Sequence, residues 1–287
     1  AGAAADELDR LGDSHLNIPR ERLLVGELVG AGGQGRVKLA RYDGQLVCVK
    51  EVFSGFGDVQ TFLREAEFLQ KLSHPNIVRF FGVSMERTSL EAAPSLWLVT
   101  EWASGGSMVR ALHHAAAESE GEGGSRLGDA VVLRWATEVC AALCHLHERL
   151  MVHLDLKPEN VLLSQGSPAS AIAMVCDFGL SRVLHSDSIT AELVGSTRYV
   201  APEMMLATGT ALQARVDARK VDVFSFGISL YHMLTLAVPW DAHARAVPPV
   251  HAEPPSVKAG PKPPRLLTAV QIFRECTRGN RPRLAES

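Results

Sequence analysis

The sequence has no excess of basic residues. Its 287 residues include 29 Lys and Arg against 32 Asp and Glu, which gives a net charge of −3. Proteins that bind nucleic acids or anionic membranes usually present a basic surface that neutralises phosphate groups. The composition therefore predicts no nucleic-acid partner and gives no electrostatic reason to expect binding to a membrane surface.

Cysteine is scarce, and its number is odd. The five cysteines lack the spacing of a zinc ribbon, and most of them lie within apolar runs. No signal peptide is visible at the start of the chain. We therefore expect free thiols in a reducing, cytoplasmic location, or on the cytoplasmic side of a membrane if the chain is part of a longer one. The cysteines are Cys48, Cys140, Cys144, Cys176 and Cys276.

The sequence also lacks a hydrophobic run long enough to cross a membrane. The most apolar stretch runs from Val223 to Val238, has 16 residues and contains no Asp, Glu, Lys or Arg. A membrane-spanning helix needs about 20 residues. A stretch that is apolar on all sides but too short to span a bilayer predicts a buried central helix.

The first hundred residues have the pattern of a small β-rich domain. Short apolar runs alternate with turns, and one segment switches to helical spacing. We predict about five strands and one helix in this part of the chain. The strands are expected at residues 22–30, 36–42, 45–52, 76–84 and 95–102, and the helix at residues 58–72.

After Gly105 and Gly106 the pattern becomes mainly helical. Apolar residues recur at three- and four-residue steps along one long stretch, which predicts a helix packed on a core. Residues 113–128 are small, polar and glycine-rich, so we expect a surface loop there. Residues 241–264 contain seven prolines and cannot form a continuous helix. The residues of the apolar stripe are Val131, Trp135, Val139, Ala142 and Leu146.

Three glycines carry the first functional signal. Gly30, Gly32 and Gly35 have the spacing G-x-G-x-x-G, and Val37 follows them. Because β-rich runs flank the motif on both sides, it predicts a turn between two antiparallel strands rather than the start of a helix. Its backbone N–H groups could close over phosphate groups, since glycine has no side chain to obstruct them. A plain β-hairpin without a ligand explains the same spacing and stays open at this point.

A lysine and a glutamate form the second signal. Lys50 ends the apolar run LVCV, where a cation is unfavourable unless an anion meets it. Glu65 lies on the predicted helix, on or beside the face that carries Phe62 and Leu69. The two side chains could form an ion pair that holds the ammonium group at a phosphate, because burying only one of the charges would be costly.

The stretch VHLDLKPENVLL concentrates polar residues between apolar ones. Asp155 and Asn160 lie on a loop that Pro158 keeps from becoming a helix, and another acid follows at Asp177. One carboxylate can accept a hydroxyl proton, while another carboxylate and an amide oxygen can hold Mg²⁺. Lys157 adds a mobile positive charge. Together these residues predict a centre for phosphoryl transfer.

In their order along the chain, these motifs resemble those of eukaryotic protein kinase domains. The resemblance runs from residue 22 to about residue 282 and is to the serine/threonine kinases of the tyrosine-kinase-like group. Each motif alone is modestly specific, but the ordered set is not expected by chance. The motifs are GAGGQGRV, VCVK, Glu65, HLDLKPEN, DFG at residues 177–179, APE at residues 201–203 and DVFSFG from Asp222.

The resemblance implies an α+β, bilobal kinase fold with a small β-rich N-lobe, which includes one helix, and a larger, mainly helical C-lobe. Residues 1–21 would form a flanking segment, residues 22–103 the N-lobe and residues 104–287 the C-lobe. Glu203 would pair with Arg281 in the C-lobe. The run between Cys276 and Arg281 is shorter than is usual in the family, so we expect the C-lobe to be truncated at its C-terminal end.

The resemblance also implies a role for each catalytic residue. Asp155 would orient and deprotonate the substrate hydroxyl, and Lys157 would stabilise the γ-phosphoryl group. Lys50 would hold the α- and β-phosphates, with Glu65 as its orienting partner. Little covalent chemistry is asked of the protein, so positioning and charge neutralisation would supply the rate.

The cofactors implied are ATP and Mg²⁺, with Mn²⁺ as a substitute for Mg²⁺. The metal would be held by Asn160 and Asp177. The adenine would lie between apolar side chains and form hydrogen bonds with the backbone that follows a small gatekeeper, Thr100. The full set of ATP-binding residues would be Gly30, Gly32, Gly35, Val37, Cys48, Lys50, Thr100, Glu101, Ala103 and Leu162.

The activity implied is transfer of the γ-phosphoryl group of Mg-ATP to serine and threonine hydroxyls of protein substrates, in intracellular signalling. A pseudokinase that binds nucleotide or partners without transferring phosphate is the alternative. The chain departs from the family pattern at Leu154, where an arginine usually reads a phosphorylated activation loop. We therefore predict that phosphorylation of this loop is not the main on-switch. The oligomeric state stays open.

Overall fold

The computed structural model describes residues 8, 10–32, 35–52, 56–86, 95–119, 127–186, 188–190, 195–206 and 215–240. The proline-rich stretch 241–264, the expected truncated end of the C-lobe and Arg281, the predicted partner of Glu203, lie outside these residues. The chain divides into two compact units. The first consists of Ala1–Gly106 and Leu162–Ser181, and the second of Ser107–Val161 and Arg182–Ser287.

Both units combine strands and helices, as the predicted α+β class requires. The α-helices are α1 (Phe56–Leu69), α2 (Met108–Ser119), α3 (Asp129–Glu148), α4 (Pro202–Leu206) and α5 (Ala218–Thr235). Short 3-10 helices span Arg20–Arg22 and Pro158–Asn160. The strands are β1 (Leu23–Gly32), β2 (Gly35–Tyr42), β3 (Gln45–Val52), β4 (Phe80–Glu86), β5 (Ser95–Glu101), β6 (Gly106–Ser107), β7 (Met151–Val152), β8 (Val161–Leu163), β9 (Ala173–Val175), β10 (Arg182–Val183), β11 (Ile189–Thr190) and β12 (Arg215–Val216).

A five-stranded antiparallel sheet forms the frame of the first unit. Its strands follow the order β1–β2–β3–β5–β4. Because side chains alternate along a strand, Val47 and Val49 on β3 enter one hydrophobic cluster. Lys50 shares the opposite face with Val52, and Val52 belongs to a second cluster. The alternation therefore turns Lys50 toward the side of the sheet that a helix covers.

That covering helix is α1. Phe62, Leu63 and Ala66 on α1 pack in one cluster with Val52 and residues of β4 and β5. Glu65 lies among these apolar positions and is only 4% exposed. The strands and the single helix predicted for this part of the chain are present, although α1 spans Phe56–Leu69 rather than residues 58–72.

A segment before the sheet also packs on the first unit, and we call residues 8 and 10–18 the N-terminal brace. The Ile18 N–H donates to the Val83 carbonyl at 2.6 Å, and the Val83 N–H donates to the Leu16 carbonyl at 2.9 Å. Val83 lies on β4, the last strand of the sheet. Gly82 permits this approach, because a Cβ at its φ of +153° would lie 2.3 Å from the Leu16 carbonyl oxygen.

The second unit is built around the long helices α3 and α5, which contact each other. On α3, Trp135, Val139, Ala142 and Leu146 are buried as the sequence predicts, whereas Val131 is only half-buried. Strand β7 pairs with β10 and strand β11 pairs with β12, both antiparallel. A hydrophobic core cluster of the second unit includes Val152, Leu154, Leu184, Tyr199, Val221, Ile228 and Trp240.

The prediction of a surface loop at residues 113–128 is wrong for the first residues of that range. Helix α2 continues to Ser119 and buries Leu112 and Ala115 at three-residue spacing. Alanine is the best helix former, so the run AAA and the two buried side chains outweigh the polar composition on which the loop prediction depended.

The apolar stretch 223–238 is also only partly as predicted. Helix α5 begins earlier, at Ala218, where the Asp217 side chain accepts a hydrogen bond from the Arg219 N–H. The helix is not buried on all sides, because Val223 and Leu234 are 58% and 54% exposed. Within the described residues, none of the helices is both long and apolar enough to cross a bilayer.

Candidate active site

In the first unit, an ammonium group lies between two carboxylates. Lys50 Nζ lies 3.0 Å from Glu65 Oε1, 3.1 Å from Glu65 Oε2 and 3.1 Å from Asp177 Oδ1. Strand β3 supplies the lysine, helix α1 the glutamate, and the turn after β9 the aspartate. The ion pair predicted between Lys50 and Glu65 is therefore present, and Asp177 joins it.

Burial and charge act in opposite directions on this cluster. Burial raises the pKa of Glu65, and Asp177 adds to the rise, while Lys50 lowers it. Burial alone would lower the pKa of Lys50, but the charges of Glu65 and Asp177 outweigh it, so that the pKa is raised. Lys50 therefore stays charged at neutral pH, and one half-buried cation holds two acids together.

The DFG stretch, residues 177–179, is held against α1. Asp177 has a φ of +63°, in the left-handed region that aspartate tolerates better than most residues. The buried ring of Phe178 stacks on Phe68 of α1, with ring centroids 5.3 Å apart. Phe68 lies three residues after Glu65, so one helix fixes the partners of both Lys50 and Phe178. The sequence alone does not predict this role of Phe68, because an aromatic residue on a packed helix face carries no signal for its partner.

The glycine motif lies where strands β1 and β2 meet. Gly30 pairs with Val37, and Gly32 pairs with Gly35. Gly35 has a φ of +137°, and a Cβ there would lie 2.0 Å from the Glu51 carbonyl oxygen. A Cβ at Gly30, in contrast, would meet nothing within 4 Å. The backbone of the first unit therefore requires glycine at position 35 but not at position 30.

The remaining predicted nucleotide residues also lie in the first unit. Cys48 on β3 pairs with Thr100 on β5, and their side chains are hydrogen bonded. Burial raises the pKa of Cys48, although Thr100 and Lys50 lower it in part. The Glu101 N–H donates to the Arg79 carbonyl at 2.9 Å. Ala103 is buried just after β5, and Leu162 is half-buried on β8.

In the second unit, a set of hydrogen bonds surrounds Asp155. Asp155 Oδ2 accepts hydrogen bonds from Lys157 Nζ at 2.7 Å and from Asn160 Nδ2 at 3.0 Å. Asp155 Oδ1 accepts one from the Ser196 N–H at 2.8 Å. Lys157 Nζ also lies 2.5 Å from Ser196 Oγ. Asp155, Lys157 and Asn160 are thus brought together, and Ser196 joins them from a distant part of the chain.

A buried acid on α5 anchors the residues before Asp155. Asp222 is fully buried and accepts hydrogen bonds from the backbone N–H groups of His153 and Leu154. Its Oδ2 also lies 2.9 Å from His147 Nε2. Asp222 belongs to the motif DVFSFG, but the resemblance assigned no role to this acid. Its position directly before the apolar stretch 223–238 was a signal, because a buried carboxylate needs hydrogen-bond donors.

Of the two residues predicted to hold the metal ion, Asn160 lies in the second unit and Asp177 in the first. Asn160 Nδ2 donates to the Asp155 carbonyl at 2.8 Å as well as to its carboxylate, so its amide oxygen is left as an acceptor. Asp177 offers a second carboxylate oxygen beside the one at Lys50. Carboxylate and amide oxygens are the ligands that Mg²⁺ prefers. Within the described part of the chain, no group of three or more His, Cys, Asp or Glu could hold a metal ion.

Residues 23–252 match the protein kinase domain, and the chain belongs to the protein kinase family. Its relatives are serine/threonine kinases. It is 34% identical over 240 residues to the serine/threonine-protein kinase CTR1 of Arabidopsis thaliana, a match that covers 82% of this chain and 26% of that protein. It is 34% identical over 228 residues to the serine/threonine-protein kinase VIK of the same plant, covering 75% of this chain and 46% of VIK.

The similarity extends to an animal protein. Mitogen-activated protein kinase kinase kinase 12 of Rattus norvegicus is 28% identical over 225 residues, which cover 78% of this chain and 22% of that protein. The chain thus spans less than half the length of each of these relatives. The predicted kinase fold and the resemblance to serine/threonine kinases of the tyrosine-kinase-like group are confirmed.

Proposed function

We propose that this domain transfers the γ-phosphoryl group of ATP to serine or threonine hydroxyls of protein substrates. The observation that carries the proposal is the set of donors around the buried Asp155 carboxylate. Lys157, Asn160 and the Ser196 N–H fix its two oxygens in one orientation. A carboxylate held in this way suits the role of proton acceptor for a hydroxyl group.

In this proposal the substrate hydroxyl oxygen attacks the γ-phosphorus while its proton passes to Asp155. The bond between the γ-phosphorus and the bridging oxygen breaks, and its electron pair stays on the ADP that leaves. Lys157 lies next to Asp155 and would offset negative charge on the transferred group. Lys50, held by Glu65, would bind the α- and β-phosphates.

Mg²⁺, or Mn²⁺ in its place, would be held by Asn160 and Asp177 and would neutralise phosphate charge when bound. The adenine would be recognised by the backbone after Thr100, at Glu101 and Ala103, between Val37 and Cys48 on one side and Leu162 on the other. Gly30, Gly32 and Gly35 would close over the phosphates. A cytoplasmic location agrees with the free thiols of the four described cysteines.

The test is incubation of the full chain with radiolabelled ATP, Mg²⁺ and a generic basic protein, followed by phosphoamino-acid analysis. We expect label on serine and threonine. Asp155→Asn should lower the rate by about 10² to 10⁴, because it removes the proton acceptor and keeps the shape. Glu159→Gln is the matched control, since Glu159 is exposed on the 3-10 helix that follows Asp155.

The two candidate functions give different results in this test. Equal labelling by the wild type and Asp155→Asn would point to a contaminating kinase. Saturable ATP binding with no labelling by the wild type would support the pseudokinase alternative instead. No feature of the described residues favours that alternative, since Lys50, Asp155, Asn160 and Asp177 are all retained.

A further inference from the structure

The N-terminal brace precedes the region that matches the kinase family, yet it is part of the hydrophobic core of the first unit. Leu8 and Ile18 are 6% and 3% exposed. Leu8 belongs to the cluster that joins α1 to the sheet, and Leu11 packs against that cluster. Ile18 belongs to the cluster on the other face of the sheet, with Val47 and Val49. The brace therefore contributes a side chain to each core of this unit.

The brace is itself a fixed structure. Ser14 Oγ donates to the Leu11 carbonyl at 2.7 Å, and the Leu16 N–H donates to Ser14 Oγ at 3.2 Å. Asn17 Nδ2 donates to the Gly12 carbonyl at 2.8 Å. Together with the two backbone bonds to Val83, these contacts tie the brace both to itself and to the edge of the sheet. Because these bonds hold the brace in place, the brace restricts the movement of the residues that pack against it.

The cluster around Leu8 combines the two elements that carry the ion pair. Val52 comes from β3, two residues after Lys50 and on the same face. Phe62, Leu63 and Ala66 come from α1 and flank Glu65 in the sequence. Leu8 therefore packs in the cluster between α1 and the sheet that bears Lys50.

From this packing we propose that Leu8 is a positioning residue for Glu65. The N-terminal brace holds α1 against the sheet, so that the Glu65 carboxylate stays within reach of Lys50. Burial and the neighbouring Asp177 carboxylate disfavour a charged Glu65 at this place, and the apolar contacts in the cluster that contains Leu8 offset that opposition. Any effect on phosphoryl transfer rests on the proposed function, whereas the effect on α1 itself does not.

The first test measures α1 directly, by hydrogen exchange of the amides of residues 56–69 in the full chain. Leu8→Ala should speed exchange about tenfold, which corresponds to 1.4 kcal/mol of lost closing free energy. Leu24→Ala is the matched control, because Leu24 belongs to the same unit and is 70% exposed. Leu8→Met should restore slow exchange, since methionine fills a similar volume. Equal exchange in Leu8→Ala and Leu24→Ala overturns the proposal.

A milder variant covers the case in which Leu8→Ala does not fold. Asn17→Ala removes the hydrogen bond to the Gly12 carbonyl and leaves every side chain of the core in place. It should speed exchange in α1 in the same direction as Leu8→Ala but less. Unchanged exchange in α1 with Asn17→Ala, in a protein whose brace amides have become unprotected, would also overturn the proposal.

The second test separates positioning from general stability. In steady-state assays Leu8→Ala should lower kcat/KM for ATP about tenfold and leave KM for the protein substrate unchanged. In a Glu65→Gln background the same substitution should have no further effect, because the carboxylate through which Leu8 acts is gone. An undiminished effect in that background would make Leu8 a general stabiliser and overturn the proposal. A wild type without phosphoryl transfer would refute the proposed function alone, and the exchange comparison would still decide the role of the brace.

Discussion

The carboxylate of Asp222 accepts a hydrogen bond from the backbone N–H of Leu154 at 2.8 Å. Leu154 has a φ of +67°, a conformation that costs on the order of 1 to 3 kcal/mol for a residue other than glycine. The same buried carboxylate also receives the His153 N–H and lies within hydrogen-bond distance of His147 Nε2. A side chain of α5 thus stabilises an unfavourable backbone conformation directly before Asp155.

Replacement of Asp222 tests this anchoring role. Asp222→Ala leaves two buried backbone N–H groups without an acceptor, so the free energy of unfolding should fall by about 3 kcal/mol. Asp222→Asn keeps one oxygen acceptor and should lose less. Urea denaturation of the three proteins checks the order. An Asp222→Ala protein as stable as Asp222→Asn would show that the N–H groups find other partners.

Gly195 should be able to lie close to Leu154 and Asp155 only because glycine has no Cβ. Gly195 has a φ of +86°, and a Cβ there would lie 2.8 Å from the Leu154 carbonyl oxygen and 3.0 Å from Asp155 Oδ1. Gly195→Ala should displace the Ser196 N–H from Asp155 and lower kcat about tenfold or more. Gly227→Ala is the control, because nothing lies within 4 Å of a Cβ there. Equal kcat for both variants would contradict the prediction.

Acid should destabilise the fold through His232. Burial, His113 and Arg198 lower the pKa of His232 to about 4, and Tyr199 Oη lies 2.9 Å from its Nδ1. Between pH 6.5 and 4 the unfolded chain then binds more protons than the folded one, so stability falls as the pH falls. The loss on going from pH 7 to pH 4 should be about 3 kcal/mol.

Comparison with His232→Gln isolates this contribution. Glu65, whose pKa burial raises, acts in the opposite direction, but it is present in both proteins. Urea midpoints measured between pH 7 and pH 4 should therefore fall more steeply for the wild type than for His232→Gln. Parallel pH profiles would exclude His232 as the cause.

Phosphorylation of the activation loop should have little effect on activity. Leu154 takes the position at which the family usually has an arginine, and it is 2% exposed in a cluster with Leu184 and Tyr199. An apolar pocket at this position offers no charge for a phosphate group. Phosphatase-treated and untreated protein should label a generic substrate at comparable rates. Loss of nearly all activity on treatment would refute this.

The β-rich part of the fold could be predicted closely because its signal is local. Strand β3 spans Gln45–Val52, as the alternation predicts, since Val47 and Val49 face one core and Val52 faces the other. Helix α2 was missed in part because glycine and polar residues after Ser119 dominate the composition of that stretch. The brace gave no periodic signal, because only isolated residues such as Leu8 and Ile18 enter the core.

The sequence could predict that Lys50 and Glu65 lie together, but not the residues that hold the predicted site residues in place. Lys50 and Glu65 were found together because a charge in an apolar run needs a partner. Phe68 and Asp222 contact residues that are far away in the sequence. A single sequence does not indicate which distant group a buried ring or a buried acid will contact. These contacts follow from tertiary packing rather than from motif spacing.

The bonds between the brace and Val83 bear on the solubility of the domain. Strand β4 is an edge strand of the sheet, and an uncovered edge strand can pair with strands of other molecules. A chain shortened to begin at Leu23 would lose the Leu16 and Ile18 backbone groups that occupy Val83. We expect such a chain to form soluble oligomers as its concentration rises, visible by light scattering, whereas the full chain does not. The flanking residues would then act as a stop for sheet growth between molecules.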